Sequence, residues 1–196
     1  HGQSEWNEKN LFTGWENPGL TQKGEKEAKD AGKIINGLGI NFDYLYTSAL
    51  IRAQVTGSII LNEINQNNVR TIENKALNER FYGDLQGLNK DECRKKWGDE
   101  KVQMWRRSYD LGPPGGETLK QTGERVIPYF TEEIEPLVKN GSNILIAAHG
   151  NSLRSLIKFL DGVSDEDIVK LEIPTGAPIH YVFDSNGNVA QRNNLF

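Results

Sequence analysis

The chain has 196 residues, a formal net charge of −4 at pH 7 and 26% charged residues, a composition typical of a soluble globular protein. The acidic balance argues against a general nucleic-acid binder, and no apolar stretch is long enough to cross a membrane. Cys93 is the only cysteine, which excludes an internal disulfide and a multi-cysteine metal site and predicts a reducing, cytoplasmic location. We expect one domain over residues 1–196.

The first half of the chain alternates between predicted helices and strands. Thr21 is expected to cap a helix that ends near Gly37 to Gly39. A strand is predicted at Phe42–Tyr46, and Ser48 is predicted to cap the helix that follows it. A second short strand is expected at Val69–Ile72.

The middle of the chain is predicted to be mainly helical. Asn89 is expected to cap a short helix that runs to Trp97, and a second helix is expected at Glu100–Tyr109. The stretch Thr118–Val138 has a helical composition, and Pro128 is expected to kink or split it.

The last third begins with a buried strand at Ile144–Ala148 and contains a predicted helix start at Ser164–Asp167. Ile179–Phe183 and Asn188–Arg192 flank the turn signal Ser185–Gly187, which predicts a hairpin. Alternating strands and helices predict an α/β fold in three layers, a mainly parallel sheet flanked by helices. The hairpin is expected to add an antiparallel edge strand to that sheet.

Two short segments of the chain are nearly the same. The sequence opens with His1-Gly2-Gln3-Ser4 and later has His149-Gly150-Asn151-Ser152, directly after the buried strand. A residue there lies at the carboxyl edge of the sheet and at a helix N-terminus, where main-chain N–H groups favour phosphate. An imidazole can attack phosphorus and carry the phosphoryl group, so both histidines are candidate catalytic residues. His180 is expected to be an ordinary strand residue.

Several cations could line a pocket for a small anion in this acidic protein. Arg52 follows the strand at 42–46, and its guanidinium can pair with phosphate oxygens. Glu79, in a polar and aromatic loop, could give and take a proton at an alcohol oxygen. Four further cations complete the predicted pocket: Arg80, Lys90, Arg106 and Arg107.

These residues lie in segments that closely resemble the cofactor-dependent phosphoglycerate mutases of the histidine phosphatase superfamily. The resemblance runs from His1 to about Phe183. The matching segments are His1–Asn7, Phe12–Trp15, Thr47-Ser48 with Arg52-Ala53, Leu77–Gly83, Leu85–Lys90, Trp105–Arg107, Ala147–Arg154 and Ile173–Gly176.

The resemblance implies a role for each candidate residue. His1 would be the nucleophile, His149 and Arg52 would stabilise charge on the phosphoryl oxygens, and Glu79 would move the substrate proton. Arg52 and Glu79 would also contact the substrate. The remaining implied substrate-binding residues are Gly2, Ser4, Asn7, Thr13, Gly14, Arg80, Tyr82, Lys90, Arg106, Arg107, Gly150 and Asn151.

The family interconverts 3-phosphoglycerate and 2-phosphoglycerate in glycolysis and gluconeogenesis through a phosphohistidine. The resemblance therefore implies 2,3-bisphosphoglycerate as priming phosphoryl donor and no metal. The resemblance also implies a small-molecule substrate, and it implies that neither nucleic acid nor a membrane is a partner. Whether the chain forms a homo-oligomer is left open.

The sequence departs from the family pattern at two places. Family members have an apolar strand ending in Arg directly before the catalytic histidine, and neither is present in the sequence as given. For a chain that starts at His1 we expect poor folding, little activity and a positive amino group beside the nucleophile. The loop Ser108–Glu117 is also short, as in compact members.

Three other functions remain open from the residues. A phosphatase of the same superfamily, acting on small phosphorylated metabolites, would share His1, Arg52 and His149. A metal-dependent hydrolase could use His1, His149 and Glu79, but the surrounding arginines would repel a divalent cation. A truncated, inactive phosphate-binding homologue is the third.

Overall fold

The computed structural model describes residues 1–196. Its strands are β1 (Tyr44–Thr47), β2 (Arg70–Glu73), β3 (Ile144–Ala147), β4 (Ile179–Phe183) and β5 (Val189–Asn194). Its α-helices are α1 (Glu5–Glu8), α2 (Gln22–Asn36), α3 (Ile51–Glu63), α4 (Lys90–Trp97), α5 (Asp99–Arg107), α6 (Leu119–Tyr129), α7 (Glu135–Lys139) and α8 (Gly150–Asp161). None of these helices combines the length and hydropathy needed to cross a lipid bilayer.

Three strands form a parallel sheet in the order β2-β1-β3. Thr47 at the end of β1 lies opposite Glu73 of β2 and Ala147 of β3, so the three carboxyl ends meet at one edge. Ser48 and His149 follow these strand ends within two residues. The pairing register thereby brings two distant parts of the chain to the same edge of the sheet.

Apolar side chains on the two faces of the sheet pack under different helices, because successive strand residues point to opposite faces. Leu45 of β1 and Ala147 of β3 pack with residues of α3 on one face, and α2 packs against α3 there. On the other face Tyr46 packs with Val126 of α6 and Leu156 of α8. The expected three-layer α/β architecture is therefore confirmed.

A separate apolar cluster fixes the helices beside the carboxyl edge. It joins the loops around Phe12 and Tyr82 to α4 and α5 through Phe12, Tyr82, Leu85, Cys93, Val102 and Trp105. Cys93 is buried in this cluster. The cluster sets the position of α5, whose last two residues are arginines.

Local sequence signals predicted several helix ends correctly. The side chains of Thr21, Asn89 and Thr118 accept hydrogen bonds from main-chain N–H groups in the first turns of α2, α4 and α6. The predicted break at Pro128 is also confirmed, because α6 ends at Tyr129 and a π-helical turn follows it. Proline has no N–H for the helical ladder, so the hydrogen-bond pattern shifts at this point.

Two predicted helix starts are wrong. Helix α3 begins at Ile51 without a side-chain cap, because the Ser48 hydroxyl bonds elsewhere, to His149. The segment Ser164–Asp167 leads only to a 3-10 turn at Asp167–Lys170. Ser164 does accept the N–H of Asp167 at 3.0 Å, but the turn ends at Lys170 and the backbone is extended at Leu171.

The predicted hairpin forms, but it does not join the parallel sheet as an edge strand. β4 and β5 make a separate two-stranded antiparallel sheet, in which Ile179 lies opposite Asn194. A cavity of about 840 Å³ is lined by both β3 and β4 and reaches the carboxyl edge. β3 pairs only with β1, and β4 pairs only with β5. No strand pairing therefore joins the two sheets, and both β3 and β4 border the cavity.

Candidate active site

His1 lies at the carboxyl edge, between the end of β3 and the segment before β4. Its amino group donates to the carbonyl of Ala148 at 3.2 Å, and its carbonyl accepts the N–H of Gly176 at 2.8 Å. Its ring and that of His149 are 4.9 Å apart between centroids, at 62°. The two repeated segments therefore meet in one site.

The amino group of His1 differs from the sequence expectation of a positive charge. Burial and the nearby Arg52 guanidinium lower its pKa to about 6, which Glu79 and Glu27 oppose. The group is therefore mostly neutral at pH 7.

The imidazole of His1 has a defined orientation. Nδ1 lies 2.5 Å from the carbonyl oxygen of Gly2, an acceptor, so the proton belongs on Nδ1 and the lone pair on Nε2. A Cβ on Gly2 would lie 2.2 Å from the carbonyl oxygen of Gly24, so only glycine allows this approach to α2. In the neutral form of the ring, Nε2 is therefore the nitrogen that carries the lone pair.

His149 is completely buried at the start of α8. Its Nε2 lies 2.7 Å from the Ser48 hydroxyl, while its Nδ1 has no hydrogen-bond partner. Burial, followed by Arg52 and the amino group of His1, lowers the pKa of His149 well below its usual value. The ring is therefore neutral at physiological pH.

Arg52 is buried in the first turn of α3. Its Nη1 and Nη2 donate to the carbonyls of Glu16 and Gly14, each at 2.8 Å. Burial lowers its pKa to about 10, which still leaves it charged at pH 7. Arg52 brings positive charge to the histidine pair and fixes the loop at residues 14–16.

Glu79 reaches the N-terminus of α8 beside the histidines. Its Oε1 accepts the main-chain N–H groups of Asn151 at 3.0 Å and of Arg80 at 2.8 Å. A helix N-terminus stabilises a carboxylate, because its N–H groups and dipole favour negative charge. The carboxylate is thereby held in a fixed position at the site.

Sequence reasoning missed the residues that fix the loop of Glu79. The carbonyl of Glu79 accepts Trp15 Nε1 at 2.6 Å and Arg125 Nη2 at 2.8 Å. Arg125 in turn pairs with Glu117, which accepts the N–H of Phe81 at 2.8 Å. Only the proximity of these residues in the fold reveals the set, because they are far apart in sequence.

Three cations form what we call the cation cluster: Lys90, Arg106 and Arg107. All three line the cavity. Burial, with Arg106 and Arg107 close by, lowers the pKa of Lys90 to about 8. Arg107 pairs with Glu172 at 2.9 Å, and its buried Nε has no partner. Cations held this close together favour an anionic ligand.

Asn151 links Glu79 to Tyr82 and Arg154. Asn151 Nδ2 donates to the Tyr82 hydroxyl at 3.0 Å, and Asn151 Oδ1 accepts Arg154 Nη1 at 2.9 Å. Arg154 is buried and also donates to the carbonyl of Ile168 at 2.6 Å. These bonds fix the side chain of Asn151 on the cavity wall.

The predicted site residues divide into two groups. Those that line the cavity are His1, Asn7, Glu79, Tyr82, Lys90, Arg106, Arg107, Gly150 and Asn151. The other predicted residues are buried and do not line this cavity; they are Gly2, Ser4, Thr13, Gly14, Arg52, Arg80 and His149.

Two members of the second group have clear local tasks. Ser4 is the N-cap of α1 and exchanges hydrogen bonds with Asn7. Arg80 is completely buried, and its guanidinium donates to the carbonyls of Glu117 and Trp105. No group of three or more histidine, cysteine, aspartate or glutamate side chains is placed to hold a metal ion.

An α/β sheet that gathers two histidines, a carboxylate and a cation cluster at its carboxyl edge is typical of enzymes that handle phosphate groups. The model of the histidine phosphatase superfamily (branch 1) matches residues 1–195. The chain belongs to this superfamily.

Named relatives agree with this family, and a solved structure shares the fold. The chain is 60% identical over 195 residues to the 2,3-bisphosphoglycerate-dependent phosphoglycerate mutase of Parvibaculum lavamentivorans, covering 100% of this chain and 93% of that protein. It is 56% identical to the protein of the same name from Brucella anthropi, covering 100% and 95%. The structure of Bacillus stearothermophilus YhfR has a TM-score of 0.83 at 22% identity, covering 96% of this chain and 90% of that one. That last similarity concerns the fold.

Proposed function

We propose that this protein interconverts 3-phosphoglycerate and 2-phosphoglycerate through a phosphohistidine at His1, primed by 2,3-bisphosphoglycerate. The observation that carries this proposal is the cation cluster beside the histidine pair. Phosphoryl removal alone needs cations only at the reacting phosphate. The cation cluster provides further positive charge away from the reacting phosphate. This charge suits the carboxylate of a phosphoglycerate, and it suits the additional phosphate of the bisphosphate. The names of relatives at 56–60% identity support the same activity.

The proposed chemistry starts at Nε2 of His1. Its lone pair attacks phosphorus, a P–N bond forms and the P–O ester bond breaks, while Glu79 in its protonated form gives its proton to the departing oxygen and becomes a carboxylate. In the other direction a substrate hydroxyl attacks the phosphoryl group on His1, and Glu79 accepts its proton. His149 and the charge of Arg52 stabilise the phosphoryl oxygens.

The residues present fit 2,3-bisphosphoglycerate as the priming donor. When bound, it supplies the phosphoryl group that His1 takes up. Lys90, Arg106 and Arg107 would hold its non-reacting anionic groups, and the partnerless buried Nε of Arg107 is a donor that such a ligand would satisfy. These side chains would keep the bisphosphate bound between the two phosphoryl transfers. The proposed reaction needs no metal ion.

We further propose that residues 1–196 act as one catalytic domain in the cytoplasm, on small-molecule substrates, without nucleic acid or membrane as partner. The family model spans residues 1–195, which supports one catalytic unit. The lone buried Cys93 agrees with a reducing compartment.

Phosphorus NMR with 3-phosphoglycerate, catalytic 2,3-bisphosphoglycerate and a chelator tests the activity. We expect 2-phosphoglycerate to appear only when the bisphosphate is present. Inorganic phosphate as the sole product would replace the proposal with a phosphatase, and unchanged substrate would refute it.

The nucleophile needs its own variant and control. His1→Ala should abolish the acid-labile phosphoenzyme, whereas His180→Ala, which removes a histidine from β4, should retain it. A labelled phosphoenzyme in His1→Ala would assign the nucleophile to another residue.

A further inference from the structure

Ser48 makes contacts that neither its sequence position nor the proposed mechanism explains. It is completely buried between β1 and α3 and does not cap the helix. Its Oγ accepts the N–H of Leu50 at 3.1 Å and lies 2.7 Å from His149 Nε2. These are the two hydrogen bonds that this hydroxyl makes. Its hydrogen therefore has one partner, Nε2 of His149.

The direction of this hydrogen bond determines the tautomer of His149. A neutral imidazole has one protonated and one bare nitrogen. If Nε2 accepts from Ser48, the proton of the ring is on Nδ1. The reverse direction would leave the Ser48 hydrogen without an acceptor in a buried place, which is unfavourable.

The resulting N–H at Nδ1 is a donor without an acceptor. Nδ1 of His149 is buried and has no hydrogen-bond partner in the protein. Buried polar groups in native proteins are normally paired, so an orphaned donor at this site points to a ligand atom. The ring stands edge-on to His1 with 4.9 Å between centroids, beside the place where a phosphoryl group on His1 would lie.

We propose that Ser48 is a positioning residue that holds His149 as the Nδ1–H tautomer, so that this N–H donates to an oxygen of the phosphoryl group on His1. The role of the donor rests on the proposed phosphoryl transfer, whereas the tautomer itself does not. The opposite tautomer would present a lone pair to the phosphoryl oxygens and repel them.

Nitrogen-15 NMR of the histidine-labelled full chain tests the tautomer directly. The His149 resonances are identified by their loss in His149→Gln. We expect a protonated Nδ1 and a bare Nε2 at pH 7. A protonated Nε2, or protons on both nitrogens, would overturn the inference.

Ser48→Ala tests the positioning role. Without the hydroxyl, the spectrum should show a population with a protonated Nε2. We expect kcat to fall about fivefold, the equivalent of one net hydrogen bond, with KM changed less than twofold. Ser155→Ala is the matched control, because Ser155 is a buried serine of α8 that bonds the carbonyl of Ser152 and not His149. It should change neither tautomer nor kcat.

The two readouts separate this inference from the proposed function. An unchanged tautomer in Ser48→Ala, or a changed tautomer with unchanged kcat, would overturn the positioning role. If the wild-type chain shows the Nδ1–H tautomer but no mutase activity, the proposed function fails while the assigned hydrogen-bond direction stands.

Discussion

Arg125 of α6 contacts the loop that carries Glu79 at several points, so its removal should loosen that loop. Its guanidinium donates to the carbonyls of Ala76, Asn78 and Glu79 at 2.8, 3.0 and 2.8 Å. It also donates to the two carboxylate oxygens of Glu117, at 3.0 and 2.8 Å. Arg125→Ala therefore removes five hydrogen bonds.

The expected loss follows from the charge and the burial of the pair. Removing one partner of a buried ion pair costs about 3–5 kcal/mol. Both side chains of this pair are 20% exposed, so water can reach Glu117 after the substitution and replace part of its lost hydrogen bonds. We therefore expect Arg125→Ala to lower the free energy of unfolding by about 3 kcal/mol.

The same variant should affect turnover more than binding. A displacement of about 1 Å at a catalytic group can cost about 10²-fold in rate, so we expect kcat to fall about 10- to 100-fold. KM should change little, because Arg125 does not contact the cation cluster. Arg125→Lys keeps the positive charge, but its single ammonium group cannot bond all three carbonyls. Its kcat should therefore lie between those of the wild type and Arg125→Ala.

Urea unfolding followed by tryptophan fluorescence, together with steady-state kinetics, measures both effects. Arg192→Ala is the control, since Arg192 pairs with Asp161 at 2.9 Å and lies on β5, outside the loop of Glu79. Its pair is almost as buried, with side chains 28% and 22% exposed, so Arg192→Ala should also cost about 1–3 kcal/mol but leave kcat unchanged. If both variants lowered the free energy of unfolding equally and neither changed kcat, the role of Arg125 in fixing the loop of Glu79 would be refuted.

Three further outcomes are expected. The pKa of His149 in the folded chain lies well below its usual 6.5, so below pH 6.5 the unfolded chain binds a proton that the folded chain does not. The free energy of unfolding should therefore fall as the pH drops below 6.5. In urea titrations at several pH values, His149→Gln should remove this part of the pH dependence. Gly2→Ala should cost about 1–3 kcal/mol in urea unfolding, because its Cβ would meet the Gly24 carbonyl; an unchanged midpoint would mean that α2 can move away. Glu79→Gln should lower kcat about 10²- to 10⁴-fold, whereas a change in KM alone would make Glu79 a binding residue.

Features set by neighbouring residues could be predicted from the sequence. Thr21 and Asn89 cap helices because an N-cap bonds N–H groups only two or three residues away. Pro128 breaks α6 through the N–H that it lacks. His149 lies at the sheet edge because a buried strand precedes it and a helix follows it.

Features that depend on distant parts of the chain could not be predicted in this way. The Ser48–His149 hydrogen bond spans 101 residues, so the serine was assigned to the nearest helix. Arg80 was grouped with the pocket cations by its charge, but it is buried against main-chain carbonyls. Arg125 looks like any helix arginine until the loop of Glu79 is folded beside it.

The cavity between the two sheets has a consequence for the behaviour of the chain in solution. β3 and β4 each end a sheet, and the N–H and C=O groups of such strands are templates for pairing with another chain. Apolar residues such as Ile146 and Val182 line the same cavity, so an extended apolar segment would gain both hydrogen bonds and burial there. If a second copy of the chain supplies such a segment, the two copies associate by β-strand addition, and the weight-average molar mass from light scattering rises with protein concentration.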